Sequence, residues 1–184
     1  MEARATLRLT CLSKVPLPAT GAVLCDLDGC LVSGSHVWPG ARDLVERLGA
    51  RLWIVSNNSC DTADDLAVRL AALGLPVPPR QLILAGEQAL RLVARERPGA
   101  RVAVHGAAPL QALRAELGLA PGGDRPEVVV LARDTGFGLN QISEVLAAVA
   151  GGAELVVTNS DGAHPDAEGA PVPETGALLA ALRA

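Results

Sequence analysis

From residue 21 onward, short apolar runs alternate with stretches whose apolar residues recur every three or four positions. The first pattern marks strands and the second amphipathic helices. Their alternation is the rhythm of a parallel sheet covered on both faces. Runs at Ala22 to Cys25, Leu52 to Val55, Leu82 to Leu84, Arg101 to Val104, Val128 to Leu131 and Leu155 to Val157 predict strands. Most are apolar throughout, as strands buried on both faces are. Helical spacing covers Ala41 to Leu48, Glu87 to Arg97, Pro109 to Leu117, Asn140 to Val149 and Thr175 to Leu182. The clearest helix follows Asp61 and Thr62: Leu66, Leu70 and Leu73 share a face, Asp64 and Asp65 suit the positive N-terminal end, and Gly74 supplies a stop. The expected fold class is α/β.

Two Pro/Gly-rich stretches interrupt this rhythm. Pro76-Val77-Pro78-Pro79 reads as a hinge into an inserted module, and Ala120 to Pro126 as a surface loop within it. The 184 residues, 49% of them hydrophobic, are enough for one ordinary domain or a core with a small insertion. Sixteen Lys and Arg against twenty Asp and Glu leave a net charge of −4 without a basic cluster, so neither a nucleic-acid partner nor an anionic membrane is expected. Two Trp, one Phe and no Tyr leave little for stacking on single-stranded bases. Trp38 and Trp53 read as core.

No run of eighteen apolar residues suggests a membrane span, and Glu2, Arg4, Arg8 and Lys14 break up any signal-peptide apolar region. Cys11, Cys25, Cys30 and Cys60 form no CxxC pair and read as reduced thiols of a cytoplasmic protein. His36, His105 and His164 lie far apart, so no zinc site is expected; His36 and His164 follow site strands and could reach the cleft, but read first as solvent-exposed.

The chemistry is concentrated at two strand ends. Gly21-Ala-Val-Leu-Cys-Asp26-Leu-Asp28-Gly29 runs an apolar strand into two carboxylates and a glycine. In a parallel α/β sheet, ligands bind at the carboxyl ends of strands. A carboxylate there can attack phosphorus, while a second protonates the leaving oxygen and then deprotonates water. Close carboxylates also suit Mg²⁺, a cation of oxygen ligands. Asp and Gly are equally at home in a plain turn. The second segment, Leu52-Trp-Ile-Val55, ends in Ser56-Asn57-Asn58-Ser59, whose side chains and backbone N–H groups can hold phosphoryl oxygens or simply cap a helix.

Taken together, these segments resemble the motifs of the haloacid-dehalogenase-like (HAD) phosphatases, in particular the NagD, 4-nitrophenyl phosphatase and phosphoglycolate/pyridoxal phosphatase branch. Asp26-Leu-Asp28-Gly29 matches the first motif and Val55-Ser56-Asn57-Asn58-Ser59 the second. The resemblance implies a Mg²⁺-dependent phosphomonoester hydrolase working through an aspartyl-phosphate on a small phosphorylated metabolite. Asp26 would be the nucleophile and Asp28 the general acid/base, with Gly29, Ser56, Asn57 and Asn58 binding phosphate. Mg²⁺ would sit on the Asp26 carboxylate and the Asp28 main-chain carbonyl. Val128 to Asp134 and Val157-Thr158-Asn159-Ser160-Asp161 resemble segments of the branch's inserted cap, which makes Asp134, Asn159 and Asp161 candidate substrate contacts.

The layout that follows is an N-terminal extension at 1–20, a Rossmann-like parallel-sheet core at 21–79, an inserted α/β cap at 80–162 and a return to the core at 163–184. The 184 residues hold no match to the family's third motif, which carries a Lys, or to its Gly-Asp fourth motif; Lys14 is the one lysine, and Asp166, Glu168 and Glu174 read as solvated. The core is therefore expected to be incomplete beside Asp26. That exposed edge would be covered by Thr6 to Pro18 or by a second subunit, which makes a homo-oligomer an expectation. A non-catalytic, phosphate-binding protein is the alternative. A carbon–halogen hydrolase is a third, opposed by Asp28, since that reaction has no alkoxide to protonate. Thr135-Gly136-Phe137-Gly138 is too short of glycines for a nucleotide loop.

Overall fold

The computed structural model describes residues 11–166 and 169–184; Glu2, Arg4, Thr6, Arg8 and Glu168 lie outside them. In chain order the elements are β1 (Val23–Cys25), β2 (Val32–Ser33), β3 (His36–Val37), α1 (Ala41–Leu48), β4 (Leu52–Ser56), α2 (Ala63–Ala72), β5 (Leu82–Leu84) and α3 (Ala85–Glu96). They continue with β6 (Arg101–His105), α4 (Ala108–Glu116), β7 (Ala120–Pro121), β8 (Val128–Leu131), α5 (Leu139–Ala150), β9 (Glu154–Val157), β10 (Ala163–Pro165), β11 (Pro171–Pro173) and α6 (Thr175–Arg183).

Two parallel sheets result. The first has the order β1-β4-β5, with Val23 opposite Leu52 and Ile54 opposite Leu82. Leu27, Leu31, Leu44, Leu52, Ile54, Leu66 and Leu84 fill its core. The second has the order β7-β6-β8-β9, and all four residues of central β8 are buried. Leu90, Leu110 and Leu113 of α3 and α4 pack on one of its faces, while Val145 of α5 packs with Val129 on the other. Each fully buried Leu contributes about 1.5–3 kcal/mol relative to exposure. α2 starts where expected: Thr62 Oγ1 accepts from the Asp65 amide at 3.3 Å and the Asp65 carboxylate accepts from the Thr62 amide at 3.4 Å.

Several expectations change. Leu82–Leu84 is the third strand of the first sheet, not the opening of an insertion, and Pro76 to Pro79 joins α2 to it rather than hinging away. The Gln81 side chain holds it there, its amide donating to the Leu52 and Gly49 carbonyls. Residues 120 and 121 form a short strand against β6 instead of remaining loop.

Residues 11–18 lie on α1 and not along β1. Leu12 and Leu17 pack on the first core, the Leu12 amide donates to Pro39 O at 3.1 Å, and Arg47 reaches Ser13 O at 2.6 Å. Gly40 permits this approach: its φ is +83°, and a Cβ would lie 2.7 Å from Cys11 Sγ. Among the described residues β1 is an edge strand, and Leu24 on it is 70% exposed. The last helix does not return wholly to the first sheet, since Leu182 packs in the cluster under α5. Trp38 is 40% exposed, edge-on to His36, where a core position was expected. Among the described residues, no helix is long and apolar enough to cross a membrane.

Candidate active site

Because β1 and β4 run parallel, Asp26 and Asn57 leave the first sheet at the same edge. The turn after β1 is anchored from below by Leu27 and Leu31, which are 1% and 0% exposed. Leu27 O accepts the amides of Cys30 and Leu31, and the Gly29 amide donates to Val32 O at 2.7 Å. Gly29 has φ +78°, and open space surrounds its would-be Cβ, so the left-handed backbone alone calls for glycine. With Leu27 pinned in the core, Asp26 and Asp28 on either side of it both reach the wall of one cavity. Asp26 Oδ1 accepts from the Leu27 amide at 2.8 Å, which orients that carboxylate.

The cavity measures about 770 Å³, and Gly29, Asn57, Asn58, Ser59 and Arg69 share its wall with the two aspartates. Burial pushes the Asp28 carboxyl above its ordinary range; the Asp26 carboxylate pushes the same way, and His164 and Arg69 pull back. Arg69 is itself bonded to Asp61 at 2.8 Å.

The loop after β4 is internally braced. Ser56 is 5% exposed and its Oγ accepts from the Asn58 amide at 3.0 Å, so it supports the loop from inside and does not line the cavity. Asn58 Oδ1 accepts from the Cys60 and Asp61 amides at 2.9 and 3.0 Å, and its Nδ2 donates to Asp61. These bonds set the turn that leads into α2.

Asp134, Asn159 and Asp161 stand off the cavity wall. Asp134 Oδ1 accepts from the Gly136 amide at 2.8 Å and shapes its own turn. Asn159 Nδ2 donates to Asn57 O at 3.0 Å, and Asp161 accepts from Asn57 Nδ2. Ser59, 2% exposed, meets the wholly buried Thr175 hydroxyl at 3.2 Å and accepts from the Arg133 amide at 3.1 Å. The segment after β9, Arg133 just beyond β8 and the start of α6 thus all bond to the loop after β4.

Three residues on the wall differ from their expected roles or were not singled out. His164 Nδ1 donates to Glu174 Oε1 at 2.7 Å, and Arg133 Nε lies 3.4 Å from the same oxygen. All three line the cavity, so His164 and Glu174 are not simple solvated groups; Asp166 lines it as well. Pairing of His164 with Val172 in the β10–β11 hairpin brings this cluster in. The sequence signal was faint: two short Pro-bounded runs, with no period long enough to count.

Cys25 Sγ lies 3.7 Å from Cys30 Sγ. Burial pushes the Cys25 thiol up to about 12, with Cys30 adding to the shift. Burial also raises Cys60, against the Arg133 guanidinium beside it. Neither Cys25 nor Cys30 lines the cavity; Cys60 does, and the two aspartates bring oxygen donors to it. A hard cation fits such a donor set: the Asp26 carboxylate and the Asp28 carbonyl suit Mg²⁺, which keeps several of its waters. Among the described residues no group of three or more His, Cys, Asp or Glu is placed to hold a metal.

The family model for haloacid dehalogenase-like hydrolase matches residues 23–120. The chain belongs to that family. It is 32% identical over 165 residues to the D-glycerol 3-phosphate phosphatase of Mycobacterium tuberculosis, covering 88% of this chain and 46% of the relative. It is 35% identical over 179 residues to human chronophin, covering 87% of this chain and 60% of the relative. A glycerol phosphate phosphatase of M. tuberculosis solved with magnesium superimposes with a TM-score of 0.78 at 32% identity, covering 87% of this chain and 50% of that one. A p-nitrophenyl phosphatase from Archaeoglobus fulgidus gives 0.74 at 29% identity, covering 88% and 63%. The HAD-like chain therefore spans roughly half to two-thirds of the length of these relatives.

Proposed function

We propose that this HAD-like chain supplies the catalytic machinery of a Mg²⁺-dependent phosphomonoester hydrolase acting on a small phosphorylated metabolite in the cytoplasm. The observation that carries the reading is the convergence of Asp26, Asp28 and Asn57 on one cavity from two adjacent parallel strand ends. The names of the similar proteins, a D-glycerol 3-phosphate phosphatase and a dihydroxyacetone phosphatase among them, support it.

In this reading an Asp26 carboxylate oxygen attacks phosphorus in line, forming an aspartyl-phosphate as the bond to the leaving oxygen breaks. Asp28 delivers its proton to that oxygen. It then takes a proton from a water that attacks phosphorus, which releases inorganic phosphate and frees Asp26. The upward shift of Asp28 suits the first step, because the acid keeps its proton to higher pH than an ordinary carboxyl. Asn57, Asn58 and Gly29 border the space for the phosphoryl oxygens, with Ser56 bracing them from behind. Mg²⁺, held by Asp26 and the Asp28 carbonyl, would neutralise phosphate charge that otherwise repels the nucleophile.

The test is hydrolysis of 4-nitrophenyl phosphate by the purified chain, with and without Mg²⁺, beside Asp26→Asn. Mg²⁺-dependent turnover absent from the variant supports the reading; equal turnover in both overturns it. The alternative is a non-catalytic, phosphate-binding protein, in which the same cavity holds phosphate without turnover. Binding of inorganic phosphate by a folded chain that turns over no phosphoester would select that reading.

A further inference from the structure

Cys25 and Cys30 bracket Asp26 and Asp28, and their sulfurs lie 3.7 Å apart. The turn that binds both Cys30 and Leu31 amides to Leu27 O folds Cys30 back over the end of β1. Cys11 and Cys60 have other neighbours: Ser13 and Pro39 O for the first, Arg133 for the second. We propose that Cys25 and Cys30 are an oxidant-reactive dithiol that a hydroperoxide closes into a reversible disulfide, and that closure disables the site between them.

A disulfide needs its sulfurs at about 2.05 Å, so they must approach by about 1.6 Å. Both side chains are half-buried, and Leu27 and Leu31 hold the turn's underside in the core. Movement therefore falls on the two cysteines and on the backbone between them. Cys25 packs against the first core and donates its thiol hydrogen to Asp26 O at 3.2 Å, which makes Cys30 the first target.

The hydroperoxide transfers one oxygen to Cys30 Sγ, giving a sulfenic acid and one molecule of water or alcohol. Cys25 Sγ then attacks Cys30 Sγ; the S–S bond forms, the S–O bond breaks, and the hydroxyl leaves as water with the Cys25 proton. Two electrons pass from the two thiols to the peroxide. A dithiol such as dithiothreitol reverses the step by exchange. A transient bond of this kind suits a reducing compartment, where disulfides are chiefly switches.

Closure removes the thiol hydrogen that bonds Asp26 O and draws the Cys25–Asp26 peptide toward Cys30. The Asp26 carboxylate moves with it, and misplacement of a reacting group by about 1 Å costs about a hundredfold in rate. At least a tenfold fall in kcat is expected. This consequence rests on the phosphatase reading, whereas the disulfide itself does not.

The full chain is treated with hydrogen peroxide, free thiols are blocked, and the protein is digested with trypsin. The fragment from Val15 to Arg42 carries both sulfurs and excludes Cys11 and Cys60. The expected result is loss of two hydrogens from this fragment, reversed by dithiothreitol and absent from Cys30→Ser. Hydrolysis of 4-nitrophenyl phosphate is to fall and recover in step, while Cys30→Ser keeps its basal rate and resists the oxidant.

A fragment that gains oxygen or blocking groups without losing two hydrogens overturns the proposal. So does a disulfide that leaves the rate unchanged. A reduced chain with no hydrolysis at all rejects the phosphatase reading, and the fragment mass alone then decides whether the dithiol closes.

Discussion

Asn159 Nδ2 donates to the Asn57 carbonyl across 3.0 Å, joining residues 102 positions apart. Through this bond the segment after β9 holds the loop after β4. The same amide approaches Thr175 Oγ1 at 3.4 Å and Ser59 Oγ at 3.5 Å. Asn159 acts on the site as a brace, since it stands off the cavity wall. Asn159→Ala is expected to lower stability by about 1 kcal/mol, the net worth of a hydrogen bond of this kind. Its kcat for aryl phosphate should fall several-fold with KM nearly constant. Steady-state kinetics and urea unfolding check both, and a change confined to KM would instead make Asn159 a substrate contact.

The buried carboxylate of Glu87 sits under the start of α2. Its side chain is 7% exposed, Oε2 accepts from the Ala63 amide at 2.6 Å, and Oε1 accepts from Arg91 Nε at 2.7 Å. An acid at this position satisfies an orphan N–H of the helix and meets the positive end of its dipole. Glu87→Ala leaves that N–H and the Arg91 guanidinium without their partner and is expected to lower stability by about 2–3 kcal/mol. Glu87→Gln keeps the shape and one acceptor and should cost about half as much. Denaturant midpoints with unchanged m-values measure both.

The elements legible in the chain were those whose signal is local. Ala41–Leu48, Leu82–Leu84 and Val128–Leu131 match the reading residue for residue, because an amphipathic period or an unbroken apolar run is complete within each segment. The strand ends that place Asp26, Asp28 and Asn57 were legible for the same reason, although β4 runs one residue past Val55, to Ser56. What was not legible depends on pairings between segments. β2, β3, β10 and β11 are only two or three residues long, too short for alternation to register. Glu174 and His164 meet only once β10 and β11 are in register, and Ser56 turned inward because its hydroxyl serves the Asn58 amide. Leu82–Leu84 was placed in the wrong unit because the proline-rich stretch before it resembles a linker, whereas the Gln81 side chain and the β4 ladder hold it to the first sheet.

His105 ends β6 with its ring edge-on to Phe137, centroids 5.4 Å apart. Burial lowers its pKa below the ordinary 6.5, against an upward pull from Glu144 and Asp134. Between the folded and unfolded values the unfolded chain binds more protons, so stability rises with pH across that window. The contribution is present above pH 6.5 and is lost as pH falls through the folded value. His105→Gln should flatten this slope. Thermal unfolding of both proteins from pH 7.5 to 5 tests it; parallel curves would show that His105 does not carry the dependence.

Burial and the neighbouring Asp26 carboxylate raise the pKa of Asp28. A carboxyl that holds its proton longer is suited to protonate a leaving alkoxide, and the need for that proton depends on the leaving group. 4-Nitrophenolate departs unaided, whereas the alkoxide of glycerol phosphate does not. Asp28→Asn removes the titrating proton while keeping the side-chain volume and the main-chain carbonyl assigned to Mg²⁺. Hydrolysis of an alkyl phosphate should therefore fall about a hundredfold or more, and that of 4-nitrophenyl phosphate clearly less, at the aspartyl-phosphate-forming step, read by the burst of released alcohol or 4-nitrophenolate. Equal losses on both esters would move Asp28 from proton transfer to metal binding or positioning. Retained activity on both would remove it from the reaction.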